Sequence, residues 1–216
     1  MVRKWTAVIP VKRLGTAKTR LRGAVPADRH PELALAMVRD TAAAVLGAAA
    51  VARLVVVTDD PVVSAAVREI GAVPAPDPGG GLNAALRFGA DEMAGLDTYR
   101  VVLTGDLPAL LPEHLDAVLA EVTGRSFVPD AAGTGTVLLA APPRVPLDPR
   151  FGPHSAAAHA ASGATPIGAG RPGLRQDVDT AADLDSVLAL GAGGRTRRLL
   201  SDLGLTTACT QSACAG

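Results

Sequence analysis

Aromatic side chains are scarce: one Trp, one Tyr and three Phe make up 2% of the 216 residues. The core must therefore be aliphatic, and stacking platforms for nucleobases are few. Cysteine is as rare, with only Cys209 and Cys214, both in a small-residue tail over 206–216. Two tail cysteines make neither a disulfide framework nor a four-ligand metal site. Excess charge is missing as well, because 21 Lys+Arg balance 21 Asp+Glu. No general basic field is left to hold nucleic acid. The apolar runs are too short and too broken to span a bilayer. Met1-Val2-Arg3-Lys4 leads into only seven uncharged residues, with no signal-like apolar region and cleavage site. These absences point to a cytoplasmic protein with neither nucleic acid nor membrane as partner. Lysine is the last scarcity: Lys4, Lys12 and Lys18 are the only three, all within the first eighteen residues, and every other strong cation is an arginine. Lysine is a compact, mobile point charge where arginine is a flat fork. Its confinement here suggests that some of these positions need an ammonium that can follow a moving phosphate.

What is present is a chain 48% hydrophobic and 19% charged, enough for one domain with a substantial core. We assign a single domain to 1–205 and a flexible tail to 206–216. Short apolar runs over 5–11, 54–58, 72–74 and 100–104 read as strands. Between and after them, 31–49, 62–70, 82–93 and 112–122 read as helices, two with proline in the first turn. The pattern continues with strands over 126–128 and 136–140, a short helix over 156–161, a strand over 165–167 and a helix over 180–190. Thr180 and Asp183 are spaced like a capping box at the start of that last helix. The alternation predicts an α/β fold, a single Rossmann-like domain with a central, mostly parallel but mixed sheet. After Phe127 the strands crowd together, which predicts an antiparallel excursion at the end of the sheet.

In an open α/β sheet, ligands bind beyond the carboxyl ends of the strands. The loop after the first strand, 12–21, carries Lys12, Arg13, Lys18 and Arg20, and could hold a polyphosphate. It is not a P-loop, since residue 17 is Ala where that pattern needs Gly. Gly168-Ala169-Gly170-Arg171-Pro172-Gly173 is a literal GxGxxG, but Pro172 and Leu174-Arg175-Gln176-Asp177 do not read as a helix start, so a dinucleotide fingerprint is rejected. Gly105-Asp106 closes an apolar central strand and offers the strongest single site signal, a carboxylate placed to hold Mg²⁺ on nucleotide phosphates. In Asp177-Val178-Asp179, alternation puts two further carboxylates on one side. The run Asp77-Pro78-Gly79-Gly80-Gly81-Leu82-Asn83 reads equally as a nucleotide contact through Gly80 and Asn83 and as a surface turn. Gly133-Thr134-Gly135-Thr136 and Arg150-Phe151-Gly152-Pro153-His154-Ser155 suit an acidic substrate, with Arg150 or Arg175 available to a carboxylate. His30 and His114 read as surface residues, His154 as a border of the substrate loop, and the four histidines show no metal-ligand spacing. The 31–49 helix offers an apolar face that could pair with a second copy.

Taken together, Ile9-Pro10-Val11-Lys12-Arg13-Leu14, Ala17-Lys18-Thr19-Arg20-Leu21, Gly105-Asp106-Leu107-Pro108, the two substrate loops and Leu174-Arg175-Gln176-Asp177-Val178-Asp179-Thr180 carry a resemblance. The chain resembles the phosphoenolpyruvate/2-phospho-L-lactate guanylyltransferases of coenzyme F420 biosynthesis, from residue 5 to residue 190. The resemblance implies a nucleotide-diphospho-sugar-transferase-like fold. It implies transfer of GMP from GTP to a phosphorylated three-carbon acid, with phosphoenolpyruvate favoured by the Ala/Arg-rich composition and phospholactate or 3-phosphoglycerate as alternatives. It implies Mg²⁺ on Asp106, Asp177 and Asp179, and acceptor contacts at Thr136, Gly152 and Ser155. Lys12 and Lys18 fall in the loop the family uses for the triphosphate, while Lys4 lies at the strand's other end. Protein partners on this reading are a second copy and the next enzyme of the pathway. A nucleotidyltransferase with another acceptor, or a non-catalytic nucleotide-binding domain, are the competing readings.

Overall fold

Alternate residues of the first strand feed two opposite cores. In β1 (Trp5–Pro10), Ala7 and Ile9 join one aliphatic cluster while Val8 joins another. The structure, a computed structural model, describes residues 3–16, 21 and 24–205. Lys18 and the 206–216 tail lie outside them.

β1 is flanked by β2 (Val51–Val57) and β4 (Tyr99–Leu103), both parallel to it, and β3 (Val73–Ala75) pairs parallel with β2. β6 (Thr136–Ala141) then runs antiparallel to β4, β5 (Ser126–Pro129) antiparallel to β6, and β7 (Thr165–Pro166) parallel to β5 at the edge. The order is β3-β2-β1-β4-β6-β5-β7. The sheet is therefore mixed, with its antiparallel excursion after Phe127 as the crowding of strands predicts. On one face pack α1 (His30–Gly47), α2 (Pro61–Glu69) and α4 (Pro112–Glu121), through residues such as Val38, Val63 and Leu115. On the other lie α3 (Leu82–Arg87), a wider π-helical turn continuing it over Phe88–Met93, and α5 (Ser155–Ala161). The fully apolar strands thus have helices on both faces. Among the described residues no helix is long and apolar enough to cross a membrane.

A third layer departs from the expectations. After α6 (Pro172–Arg175) and α7 (Ala181–Leu190) comes α8 (Gly194–Asp202), a helix where the sequence pattern predicts none. Leu33 and Met37 of α1 share a cluster with Leu184, Val187 and Leu200 from α7 and α8. The buried carboxylate of Asp40 accepts hydrogen bonds from the Thr196 and Arg195 backbone N–H groups, at 2.8 and 3.3 Å, and so caps α8 onto α1. Much of the apolar face of the 31–49 helix is thereby covered within the chain, while Leu35, Ala44 and Leu46 stay half-buried. Two smaller corrections accompany it. Pro172–Arg175 is a helical turn, so the GxGxxG segment does meet a helix, though one of only four residues that comes after an edge strand. His30 is buried, its Nε2 3.0 Å from the Val25 carbonyl, and is not a surface residue.

Candidate active site

The carboxyl ends of β1 and β4 and the amino end of β6 open into one cleft of about 790 Å³. Lys12 enters it from the end of β1, Asp106 from the turn after β4, and Thr136 from the first position of β6. The loop before α5 adds Gly152 and His154, the first residue of α5 adds Ser155, and the segment before α7 adds Asp177 and Asp179. Residues spread from position 12 to position 179 thus share one wall, because strands that alternate with helices return their carboxyl ends to the same edge.

Local hydrogen bonds explain how each wall is held. The Leu107 backbone N–H donates to Thr41 Oγ1 at 3.0 Å, and that hydroxyl donates to the Met37 carbonyl at 2.8 Å, which ties the Asp106 turn to α1. Behind Lys12, the Leu14 N–H donates to Asp60 Oδ2 at 2.9 Å, while Asp60 Oδ1 caps α2 at Val62 and Val63. Burial would raise the Asp60 pKa, but these backbone donors and the Arg13 charge outweigh it and hold the carboxylate below its ordinary range. Asp130 accepts from the Thr134 and Gly135 N–H groups at 2.9 and 2.8 Å, closing the loop before β6. A Cβ on Gly135 would meet the Asp130 carboxylate, so a side chain there would have to displace the group that closes this loop. Gly152 has φ 141°, a conformation that side chains resist.

The capping box at Thr180 and Asp183 forms as its spacing predicts. Asp183 accepts from the N–H groups of Asp179 and Thr180 at 3.0 and 2.7 Å and from Gln176 Nε2 at 3.1 Å. Burial opposes its ionisation, yet these donors lower its pKa. Asp183 does the capping, and Asp177 and Asp179 line the cleft. Asp177 behaves in the opposite way: burial first, then the like charges of Asp106 and Asp179, push it up to about 7. This crowding of carboxylates is the electrostatic signature of the site.

Other sequence candidates stand elsewhere. Arg150, Arg13, Gly80 and Asn83 do not line the cleft. Arg150 pairs with Asp148 at 2.9 Å on the surface. Arg175 donates to the Pro129 and Asp130 carbonyls at 3.1 and 2.6 Å and so latches the loop before β6. Asn83 exchanges two hydrogen bonds with the Phe151 backbone, at 2.9 and 2.8 Å, and fixes the loop that carries Gly152. Three residues of the site are absent from the sequence candidates: Asp60, Asp130 and His159. The ring of His159 is fully buried, with Nδ1 2.9 Å from Thr136 Oγ1 and Nε2 accepting from the Arg150 N–H at 2.9 Å. Burial, aided by the Arg125 charge, pushes its pKa down to about 4, so it is neutral at pH 7. Only the Asp60-Pro61 step, an acid before a helix-starting proline, signals any of the three in the sequence.

Comparison with known proteins agrees with this geometry. A family model described as "Guanylyl transferase CofC like" matches residues 5–161. A protein of Salinispora arenicola (strain CNS-205) named phosphoenolpyruvate guanylyltransferase is 54% identical over 204 residues, covering 92% of this chain and 94% of that protein. One of the same name from Geodermatophilus obscurus is 50% identical, with 92% and 95% covered. Among solved structures, a nucleotide-diphospho-sugar transferase fold from Desulfovibrio desulfuricans G20 superposes with a TM-score of 0.67 at 17% identity, over 93% of this chain and 95% of that one. A cytidylyltransferase from Leptospira borgpetersenii gives a TM-score of 0.53 at 14% identity, over 94% of each chain. The fold is that of the nucleotide-diphospho-sugar transferases, the chain is a nucleotidyltransferase, and it belongs to the CofC-like guanylyl transferase family.

Proposed function

We propose that the protein transfers GMP from GTP to phosphoenolpyruvate, giving enolpyruvoyl-diphospho-5′-guanosine and pyrophosphate, as a step of coenzyme F420 biosynthesis. One observation carries this reading. A single cleft joins an acidic ledge of Asp106, Asp177 and Asp179 to a pocket of uncharged donors at Thr136, Gly152 and Ser155. The chain that builds it is half identical to proteins named for that reaction.

An acceptor phosphate oxygen attacks the α-phosphorus of GTP. The new P–O bond forms as the bond to the β-phosphate breaks, and pyrophosphate leaves with the electron pair. The nucleophile is already an anion, so the chain need supply no strong base. Its tasks are placement and charge neutralisation. Lys12, the one lysine or arginine among the described residues lining the cleft, meets the departing pyrophosphate; Lys18, to which the family resemblance gives the same task, lies outside the described residues. Thr136, Ser155 and the backbone around Gly152 hold the acceptor.

Among the described residues no three Asp, Glu, His or Cys side chains are assembled so as to hold a metal ion by themselves. The donor set nevertheless suits Mg²⁺, which binds through one or two carboxylates, water and substrate phosphates rather than through an all-protein cage. Burial and the like charges of Asp106 and Asp179 raise Asp177, and a divalent cation held there would relieve the repulsive part. Asp106, Asp177 and Asp179 would hold it, and when bound it supplies charge screening between the two phosphates.

The test is mass spectrometry of the products from GTP, Mg²⁺ and phosphoenolpyruvate, run beside phospholactate and 3-phosphoglycerate. The guanylylated enolpyruvate with matching pyrophosphate is expected. A product from another acid alone would correct the acceptor. A GTP-dependent rise in melting temperature without pyrophosphate from any acid would leave a nucleotide-binding domain instead.

A further inference from the structure

We infer that His159 fixes the Thr136 hydroxyl as a hydrogen-bond donor into the cleft, which makes His159 a positioning residue for the anionic acceptor. The inference rests on the acceptor role proposed for Thr136.

Two contacts settle the ring's proton. The Arg150 backbone N–H can only donate, and it points at His159 Nε2 from 2.9 Å. That nitrogen must carry a lone pair. A neutral imidazole has one N–H, so the proton sits on Nδ1 and is donated to Thr136 Oγ1, 2.9 Å away. The hydroxyl then accepts from the ring, and its own hydrogen must point elsewhere. Among the described residues, Oγ1 has no other hydrogen-bond partner, and Thr136 lines the cleft. The free direction is the one a substrate oxygen would occupy. The opposite tautomer would set two N–H groups against each other at Arg150. It would also turn the hydroxyl hydrogen inward to Nδ1, leaving oxygen lone pairs to face an anion. The tautomer therefore decides whether this hydroxyl attracts or repels the acceptor.

The surroundings hold the choice. Phe127 and Phe151 flank the ring, with centroids 5.7 and 5.2 Å away. Burial and the Arg125 charge keep it neutral, while Asp148 and the Ser155 carbonyl work the other way without overturning them. The same ring clamps Arg150 as Asn83 clamps Phe151, so the backbone entering Gly152 is pinned on both sides.

Ring ¹⁵N chemical shifts of the unmodified protein test the tautomer directly, since only four histidines need assignment. A protonated Nδ1 and an unprotonated Nε2 at about pH 7 are expected; the reverse overturns the inference without any variant. Kinetics test the consequence. Thr136→Val and His159→Phe should each raise the acceptor KM about ten-fold, the scale of one hydrogen bond to an anion, and leave GTP affinity within about two-fold. Thr136→Ser, which keeps the hydroxyl, should recover most of the acceptor affinity that Thr136→Val loses. The double variant should be no worse than the worse single within about two-fold, because both remove one device. Independent effects that multiply to about a hundred-fold would overturn the coupling. An unchanged acceptor KM in Thr136→Val would instead remove the acceptor reading itself, whatever the tautomer.

Discussion

Asp177→Asn should make the metal-free protein more stable and the enzyme inactive. In the folded chain, burial and the charges of Asp106 and Asp179 lift the Asp177 carboxyl from 3.8 to about 7. That rise corresponds to about 4 kcal/mol at most. Asp177 is only partly buried, so water relaxation should reduce the measured effect to about 1–2 kcal/mol. The sign comes from proton counting. Between about pH 4 and pH 7 the folded state holds this proton and the unfolded state has lost it, so stability falls as pH rises through that window. Below it both states are protonated and the penalty vanishes. Asparagine is neutral throughout, so the advantage of Asp177→Asn should open as pH rises and level off above about pH 7. For a chain of this length the plateau should be about 2–8 °C in melting temperature. The assay is thermal melting of both proteins in EDTA from about pH 4 to about pH 8, with pyrophosphate release measured beside it. A variant less stable than the parent at the alkaline end, or a difference that ignores pH, would refute the account of crowded carboxylates. Mg²⁺ with GTP should then stabilise the parent more than the variant, because only the parent has that repulsion to relieve.

Neighbouring residues carry further expected outcomes. Lys12→Arg should lower kcat/KM about ten-fold or more, because a planar fork replaces a mobile point charge. Lys4, whose Nζ is bound to the Ala49 carbonyl at 2.9 Å, should accept Arg with no change in pyrophosphate release; equal losses at both positions would end the distinction. Asp60→Ala removes the cap of α2 and the anchor of Leu14 together. It should cost about 1–2 kcal/mol in denaturant unfolding and raise the KM for GTP. The low Asp60 pKa adds stability above about pH 4 that is lost as pH falls through its folded value. His159, pushed from 6.5 to about 4, should destabilise the parent as pH falls through that window, by up to about 3 kcal/mol. Its term runs opposite to that of Asp177, so the parent's pH profile alone is flattened and only variant-minus-parent differences separate the two.

Much of the sheet was legible because its strands are unambiguous. An apolar run such as Leu54-Val55-Val56-Val57 has no polar face to show water, and in an alternating chain that means a parallel strand under helices. The third layer was harder. α8 lies behind Gly191 and Gly193, its sequence Gly194-Arg195-Thr196-Arg197-Arg198-Leu199-Leu200 is mostly polar, and only Thr196 and Leu200 are buried. Its partner gave a stronger hint. Leu33, Met37, Ala34 and Val38 surround α1 on more than one side, and a helix apolar on several sides is covered rather than exposed. Residues of α7 and α8, near the chain's own end, supply part of that cover. Backbone latches were not legible at all. Asn83 and Arg175 have side chains suited to a nucleotide or a carboxylate, but each is used by a carbonyl or N–H that lies at least 45 residues away. His159 had no signal because its role depends on what each ring nitrogen faces.

The fate of the two arginines bears on how an acid is recognised in this cleft. A guanidinium on the acceptor was the natural expectation, since bidentate arginine is the strongest side-chain partner for carboxylate or phosphate. Arg150 instead pairs with Asp148 and Arg175 with two carbonyls, so the described residues proposed to hold the acceptor, Thr136, Gly152 and Ser155, offer hydroxyls and glycine backbone. For a phosphate that must act as nucleophile, weak neutral donors have an advantage. They fix its position without withdrawing the charge that attacks the α-phosphorus. Among the described residues that line the cleft, the cationic work falls to Lys12, beside the cation that the acidic ledge would bring with GTP. With no arginine among the described residues that line the cleft, the proposed acceptor contact depends more on the orientation of Thr136 than it would in a charged pocket. On the proposed role of Thr136, an uncharged, buried histidine, outside the cleft and unremarkable in the sequence, joins the residues on which acceptor binding would depend.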